Sequence, residues 1–115
     1  MIITIAVVSV ANIGARPAKH GLDQDAALNL LLQTLKGDRV YDKRISLDCV
    51  TFDADETTRT YFEFVLREKH NAKCGGDPDT TPVVDRYRVH RGSGKIELYV
   101  VVKDSWQPYQ RASDR

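Results

Sequence analysis

The sequence predicts an α+β fold in which one helix packs on a four-stranded antiparallel sheet. Three observations predict it. One segment carries apolar residues at the three- and four-residue steps of an amphipathic helix, four later segments alternate apolar and polar residues as half-buried strands do, and turn-forming residues separate them. A helix followed by a run of strands is typical of α+β domains. The length of 115 residues fits one domain.

The helix is predicted over residues 23–36. Asp23 is a favourable N-cap, and Lys36 followed by Gly37 is typical of a helix C-terminus. One side of this helix carries an apolar stripe made of Ala27, Leu28, Leu31, Leu32 and Leu35. Such a stripe favours burial against the rest of the domain, so we expect the helix to lie on the sheet.

The first two strands are predicted from two segments that alternate apolar and polar residues. Their apolar positions are Ile45, Leu47 and Cys49 in the first segment, and Phe62, Phe64 and Leu66 in the second. The acidic stretch between them, residues 53–58, is predicted to form the hairpin turn. An antiparallel register that brings the two apolar faces together places Leu47 opposite Phe64 and Cys49 opposite Phe62.

The last two strands, residues 83–91 and 95–103, are predicted to form a hairpin around Gly92 and Ser93. A two-residue turn of this kind prefers glycine at its first central position. The register then pairs Val89 with Ile96, Tyr87 with Leu98, and Arg88 with Glu97. Apolar pairs would share one face of the hairpin, and an ion pair would lie on the other.

The two ends of the chain differ from the domain between them. Residues 1–19 are an apolar segment and a linker, the α+β domain spans residues 20–110, and residues 111–115 form a polar tail. The apolar segment is open to two interpretations, the remainder of a secretory signal or an additional edge strand. It is shorter than the roughly 20 apolar residues that span a bilayer, so no membrane span is expected in the mature chain. Near the other end, Trp106 and Tyr109 are expected to fold back over an edge of the core.

The sequence contains two cysteines, Cys49 and Cys74, which are predicted to form a disulfide. Because disulfides persist in oxidising compartments, the pair favours an exported protein, periplasmic or secreted, whereas a reduced pair would place the protein in the cytoplasm. Neither cysteine has the spacing of a metal site, so no metal and no cofactor are expected. An alternative joins Cys74 to His70 and Glu68 as a Cys–His nucleophile, which requires a free thiol.

Two stretches carry a resemblance to known families. The order of the elements resembles that of cystatin-like domains, and the closing hairpin Val-His-Arg-Gly-Ser-Gly-Lys-Ile resembles that of the smaller PepSY domains. The Gln-x-Val-x-Gly loop of inhibitory cystatins is absent, so the resemblance implies no inhibitory residues in this chain. The segment REKHNAKCGGDPDTTPVVDRYRV resembles small exported bacterial proteins of uncharacterised function.

The candidate binding residues lie on two surfaces. They are Arg86, Arg88 and His90 on the third predicted strand, Tyr99 on the fourth, and Lys73 and Asp77 in the loop at residues 71–82. Exposed arginine and tyrosine are typical of protein-docking surfaces. Seventeen basic and sixteen acidic residues leave a net charge of +1, which gives no global field for nucleic acid. The predicted partner is another protein, and no nucleic acid is expected.

Two functional hypotheses follow. The first is a non-enzymatic, exported protein-binding domain of the inhibitor or immunity type, because no catalytic set of residues can be assembled from the sequence. The alternative is a small-molecule-binding or small enzymatic domain with a pocket between helix and sheet. That pocket would be lined by Leu31, Leu35, Phe62 and Phe64. A solidly packed interior at these four positions would count against it.

Overall fold

One helix packs against one face of a five-stranded antiparallel sheet in the computed structural model of the chain. The structure describes residues 21–110. The predictions for residues 1–19 and for the tail at 111–115 lie outside the described residues. The elements are α1 (Gln24–Gly37), β1 (Val50–Thr57), β2 (Tyr61–Glu68), β3 (Val83–His90), β4 (Ile96–Val100) and β5 (Ser105–Pro108). The α+β class is confirmed, and the sheet follows chain order from β1 to β5.

The predicted helix is confirmed together with its N-cap. The side chain of Asp23 accepts a hydrogen bond of 2.8 Å from the backbone N–H of Ala26, which satisfies one of the free donors of the first turn. Ala27, Leu31 and Leu35 of the apolar stripe are fully buried. They pack on the central strands β2 and β3, so this stripe holds the helix on the sheet.

The prediction for the first strand is wrong in its position. Leu47–Cys49 form a short 3₁₀ turn, and β1 begins only at Val50 and continues through the acidic stretch that was predicted to be a turn. The physical reason is that Val50 and Phe52, in the opposite alternation to Leu47 and Cys49, supply the core-facing side chains of the strand. The chain reverses after β1 at Thr58, whose hydroxyl accepts hydrogen bonds from the N–H groups of Thr60 and Tyr61.

The predicted pairing of the first two strands is therefore also wrong. Phe64 lies opposite Ala54, and Phe62 lies opposite Thr57 after a register irregularity. Cys49 stands beyond the start of β1, where its carbonyl accepts a hydrogen bond of 2.8 Å from Lys69. Cys49 thus lies beside the C-terminal end of β2, far from Phe62. The loop that contains Cys74 begins at this same end.

The register of the β3–β4 hairpin is confirmed, but its turn is not the predicted one. Residues 91–94 form a four-residue turn in which the Gly94 N–H donates to the His90 carbonyl at 2.9 Å. The positive φ of 72° falls on Gly94 rather than on Gly92. A Cβ atom on Gly94 would lie 3.1 Å from the Leu30 side chain, so glycine here lets α1 approach the hairpin closely.

A fifth strand corrects the predicted strand count. β5 pairs with β4 and places Trp106 opposite Tyr99 and Gln107 opposite Leu98. Tyr109, just beyond β5, packs against the hydrophobic core, as expected for an aromatic that covers its edge. β2 is the central element of the core, because its residues from Phe62 to Leu66 are buried on both faces of the sheet.

Candidate functional site

The face of the sheet that α1 does not cover, here called the outer face, collects four of the predicted binding residues. Cross-strand pairs place Tyr61 beside His90, Glu63 beside Arg88, and Tyr99 beside Trp106. The outer face carries Tyr61, Glu63 and Val65 of β2, Arg86, Arg88 and His90 of β3, Glu97 and Tyr99 of β4, and Trp106 of β5. Alternation in the sequence predicted the β3 and β4 members, and the fold brings them together.

Arg88 lies at the centre of the outer face between two aromatic rings. Its guanidinium carbon is 4.3 Å from the centroid of the Tyr61 ring and 4.0 Å from that of Trp106. Its Nε is buried and makes no hydrogen bond to the described residues, and a Glu63 oxygen lies 3.5 Å away. A cation held between aromatic faces is stabilised by about 1–2 kcal/mol per desolvated contact. These contacts fix the Tyr61–Arg88–Trp106 stack on the sheet.

Trp106 also extends the stack towards the tip of the β4–β5 hairpin. Its ring packs edge-on against Tyr99 with centroids 5.3 Å apart, and the Tyr99 hydroxyl donates a hydrogen bond to Asp104. Trp106 was expected to cover an edge of the core, but β5 places it opposite Tyr99 and against Arg88. Its part in this site, like that of Tyr61, was not predicted from the sequence. The available signal was Ser105-Trp106-Gln107, in which an aromatic residue lies between two polar ones, as in a short half-exposed strand.

Three arginines on or beside the outer face, Arg86, Arg88 and Arg67, each lie within 4 Å of a carboxylate, and the His90 imidazole lies beside that of Glu97. Distances from nitrogen to oxygen are 3.2 Å for Arg86–Asp55, 3.5 Å for Arg88–Glu63, 2.7 Å for His90–Glu97 and 3.9 Å for Arg67–Asp53. The ion pair predicted between Arg88 and Glu97 is replaced by these partners. The paired charges make the outer face a nearly neutral surface. A nucleic-acid backbone attracts proteins through unpaired lysine and arginine, which this arrangement does not offer.

Glu63 lies beneath the stack with only 7% of its surface exposed. Burial raises the pKa of its carboxyl, and a hydrogen bond with the Asp55 carboxyl raises it further, while the positive charge of Arg88 acts in the opposite direction. This buried acid therefore contributes to positioning the stack rather than to a solvent-exposed charge.

The second predicted surface is the stapled loop, residues 71–82, which is built around His70. The Nδ1–H of His70 donates to the Asp77 carbonyl at 2.6 Å, and Nε2 lies 2.9 Å from a Glu68 carboxylate oxygen. Only 9% of the His70 side chain is exposed. The hydrogen bond to Glu68 and then the one to Asp77 raise the pKa of His70 above its ordinary value. His70 is thus the internal support of the loop.

The predicted disulfide between Cys49 and Cys74 is confirmed, with a Cα–Cα distance of 5.6 Å. Because β1 starts later than predicted, Cys49 lies at the end of β2 where the stapled loop begins, and the two cysteines meet there. Both sulfurs are consumed in the bridge, so Cys74 has no free thiol. The hypothesis of a Cys–His nucleophile with His70 is therefore wrong for the folded, oxidised chain.

Lys73 and Asp77 lie apart from the four predicted residues of the outer face. The stapled loop joins the end of β2 to the start of β3, whereas His90 lies at the opposite end of the sheet beside Tyr61. Lys73 is exposed. Asp77 accepts a hydrogen bond from the Asp79 N–H at 2.9 Å through its side chain, and one from His70 through its carbonyl. Asp77 therefore contributes hydrogen bonds that hold the loop together, and Lys73 is an exposed residue of the same loop.

The pocket proposed between helix and sheet is not found at the predicted residues. Leu31, Leu35, Phe62 and Phe64 are buried members of one packed cluster, with no exposed surface at three of the four positions. Within residues 21–110 no three His, Cys, Asp or Glu side chains are placed to hold a metal ion. In the same part of the chain, no helix has the length and apolar character needed to cross a membrane.

No protein-family model matches the sequence, and neither a curated protein nor a solved structure matches it. The resemblance to cystatin-like and PepSY domains stays a prediction. Of the two predicted surfaces, the outer face is the one on which aromatic and arginine side chains are concentrated.

Proposed function

We propose that the chain is a non-enzymatic protein-binding domain and that its outer face is the docking surface. The observation that carries this proposal is the Tyr61–Arg88–Trp106 stack. Tryptophan, tyrosine and arginine are the residues that most often dominate binding energy at protein interfaces. In this stack their rotamers are already fixed by mutual contacts, so a partner would bind with little further loss of side-chain entropy.

The pairing of charges on the outer face favours a partner surface without strong net charge. Arg86 and Arg88 of the face, and Arg67 beside it, already lie within 4 Å of a carboxylate. Electrostatic steering would be weak for such a surface, and binding would depend on aromatic contacts and shape more than on salt concentration. This property argues for a protein partner over a nucleic acid.

An exposed apolar tip extends the docking surface beyond Trp106. The turn after β4 leaves Val101 77% and Val102 93% exposed. Asp104, in the left-handed conformation with φ of 47°, closes this turn and accepts the Tyr99 hydroxyl hydrogen bond. Two neighbouring exposed valines on an ordered turn are suited to insertion into a shallow apolar depression of a partner.

The disulfide supports placing this function outside the cytoplasm. A bridge between Cys49 and Cys74 is stable in the periplasm or after secretion, and is reduced in most cytosols. A small stapled domain with a preformed docking face suits an inhibitor or an immunity-type partner, which acts by occupying the surface of another protein. This role is part of the proposal.

The proposal is tested by affinity purification, after mild crosslinking, from the cells that naturally produce the protein. We expect a specific protein to be retained by the wild type but not by Trp106→Ala, nor by the triple variant Arg86→Ala, Arg88→Ala, Tyr99→Ala. Arg39→Ala is the matched control, since Arg39 is an exposed arginine on the segment after α1. Thermal unfolding would show that each variant is folded.

The affinity for the purified partner should then fall by roughly thirtyfold in Trp106→Ala, which corresponds to about 2 kcal/mol for a hot-spot residue. Arg39→Ala should bind as the wild type does. If folded Trp106→Ala and the triple variant retain the same partner with unchanged affinity, the outer face is not the docking surface.

A further inference from the structure

A cleft of about 320 Å³ opens on the helix side of the sheet, away from the outer face. It lies between the segment that follows α1 and the ends of β3, β4 and β5. Its apolar wall includes Val40, Leu98 and Val100, and its polar end is formed by Arg44 and Asp85. The volume is at the lower end of the range of about 300–1,000 Å³ that is usual for small-molecule sites.

A chain of hydrogen bonds fixes the polar end of the cleft. The Tyr41 hydroxyl donates to Asp85 Oδ2 at 2.5 Å and lies 2.6 Å from the Tyr87 hydroxyl. Arg44 Nη1 donates to the same Asp85 oxygen at 3.1 Å. Burial raises the pKa of both tyrosines, so their hydroxyls stay protonated, and Tyr87 donates to Tyr41 because the Tyr41 proton is directed at Asp85. Asp85 Oδ2 therefore already has two donors.

Arg44 keeps donors available after these contacts. Its guanidinium is anchored by Asp85 and stands over the Tyr41 ring at 5.1 Å, yet its side chain is 53% exposed. Within residues 21–110, Nε and Nη2 of Arg44 donate to no acceptor. An anchored guanidinium with an unoccupied edge beside an apolar wall has the composition of a carboxylate-binding site.

We propose that this cleft binds a small carboxylate with an apolar body. The carboxylate accepts hydrogen bonds from the unoccupied edge of Arg44, and the apolar body lies against Leu98 and Val100. An amine is a poorer fit, because it would have to compete with Arg44 and Tyr41 for Asp85. The site is separate from the outer face, so ligand binding and protein docking are independent properties.

Three probes of equal chain length separate the contribution of the head group from that of the apolar body. Octanoate, octanol and octylamine are titrated into the full chain, and backbone amide shifts of Leu98, Val100 and Gln107 are followed by NMR. We expect octanoate to saturate these shifts at a concentration at least about tenfold lower than octanol, as for a charge-assisted hydrogen bond. Octylamine should bind no better than octanol.

Two substitutions at neighbouring positions test the role of Arg44. Arg44→Gln should weaken octanoate binding by roughly tenfold or more and leave octanol binding unchanged. Lys43→Gln removes the same charge from the adjacent exposed position and should leave octanoate binding as in the wild type. Val100→Phe, which narrows the cleft without touching the Arg44–Asp85 pair, gives an independent variant and should abolish the binding of octanoate.

Three results would overturn the proposal: no saturable shifts at the cleft with any probe, equal binding of octanoate and octanol, or tighter binding of octylamine. The proposal would also be overturned if octanoate still bound to both variants, Arg44→Gln and Val100→Phe, in their folded state.

Discussion

Gly76 is the residue that lets the stapled loop close over His70. A Cβ atom on Gly76 would lie 2.5 Å from Cδ2 and 2.7 Å from Nε2 of the imidazole, and the φ of Gly76 is +84°. The neighbouring Gly75 has a similar φ of +77°, but a Cβ atom there would meet nothing within 4 Å. An alanine at Gly75 would therefore carry only the cost of a left-handed backbone, whereas an alanine at Gly76 would also clash with the His70 ring.

We expect Gly76→Ala to destabilise the protein clearly more than Gly75→Ala. Alanine at Gly75 carries only the cost of a left-handed conformation, about 1–2 kcal/mol. Alanine at Gly76 adds the displacement of the His70 ring from its hydrogen bonds, for a total of about 2–4 kcal/mol. Urea unfolding of the two variants measures the difference. Equal losses would contradict the packing of the loop on His70.

His70 makes the stability of the stapled loop depend on pH. Both ring nitrogens face acceptors, the Asp77 carbonyl and the Glu68 carboxylate, so the doubly protonated ring satisfies both contacts. The pKa of folded His70 is raised above the ordinary 6.5. The stabilisation is therefore complete below about pH 6.5, the value expected for the unfolded chain, and is lost as the pH rises through the higher pKa of the folded state.

An NMR titration of the His70 ring should give a pKa above about 6.5, the ordinary value. Glu68→Gln should lower this pKa, because the hydrogen bond from Nε2 to Glu68 is the largest cause of the shift. Glu97→Gln is the matched control, since Glu97 faces the other described histidine, His90, at the opposite end of the sheet. A His70 pKa at or below 6.5, or one that Glu68→Gln leaves unchanged, would show that Glu68 does not hold the charged ring.

At the scale of the elements, β1 is held at one end by a covalent bond and along its length by β2 alone. The disulfide joins Cys49 to Cys74, which are 25 residues apart in sequence, and so closes a loop. In the chain-entropy model a loop of this size restricts the unfolded chain by about 3 kcal/mol. β1 is an edge strand with most of its side chains exposed, so little apolar burial would replace this restraint.

Local patterns in the sequence predicted the elements whose positions depend on local contacts. The helix follows from the Asp23 cap and the leucine stripe, and the β3–β4 register follows from pairing Val89 with Ile96. The position of β1 depends on contacts distant in sequence, chiefly the disulfide and the bond from Lys69 to the Cys49 carbonyl. Leu47 and Cys49 have the spacing of a strand but belong to a 3₁₀ turn. The core-facing alternation of β1 starts at Val50.

In the candidate site, too, the residues that share one strand could be predicted from the sequence, and the contacts between strands could not. Arg86, Arg88 and His90 follow from two-residue alternation on one strand, since such residues must share a face. The Tyr61–Arg88–Trp106 stack did not follow, because Trp106 reaches Arg88 only through the pairing of β5 with β4. The role of His70 as a loop support also required the positions of Gly76 and Asp77, which no spacing rule provides.

At the scale of the whole molecule, the two edges of the sheet are protected from pairing with other strands. β1 carries Asp53, Asp55 and Glu56 along its length, and charged edge strands disfavour strand addition. At the other edge, Tyr109 donates its N–H to Ile96 in β4, so alternation directs the backbone of Pro108 outward. Proline has no N–H, and this edge is blunted as well. Docking through the outer face therefore fits the molecule better than strand addition.

The backbone N–H groups of β2 point alternately to β1 and to β3, so individual amides report separately on the pairing with each neighbour. The N–H of Lys69 bonds to Cys49 and that of Glu68 bonds to Pro82, so odd-numbered amides of β2 face β1 and even-numbered amides face β3. Val65 and Arg67 thus report on the β1–β2 ladder. Phe64 and Leu66 report on the β2–β3 ladder, which lies beneath the helix.

We expect the double variant Cys49→Ser, Cys74→Ser to lose hydrogen-exchange protection at Val65 and Arg67 while Phe64 and Leu66 stay protected. The disulfide restrains the start of β1, whereas the β2–β3 ladder is held by the buried stripe of α1 and needs no bridge. Opening of β1 is then a local event with its own free energy, below that of global unfolding. Native-state exchange measured by NMR on both proteins at one pH resolves the four amides. If all four lost protection by the same factor, β1 would unfold only with the whole domain, and the disulfide would stabilise the sheet as one unit.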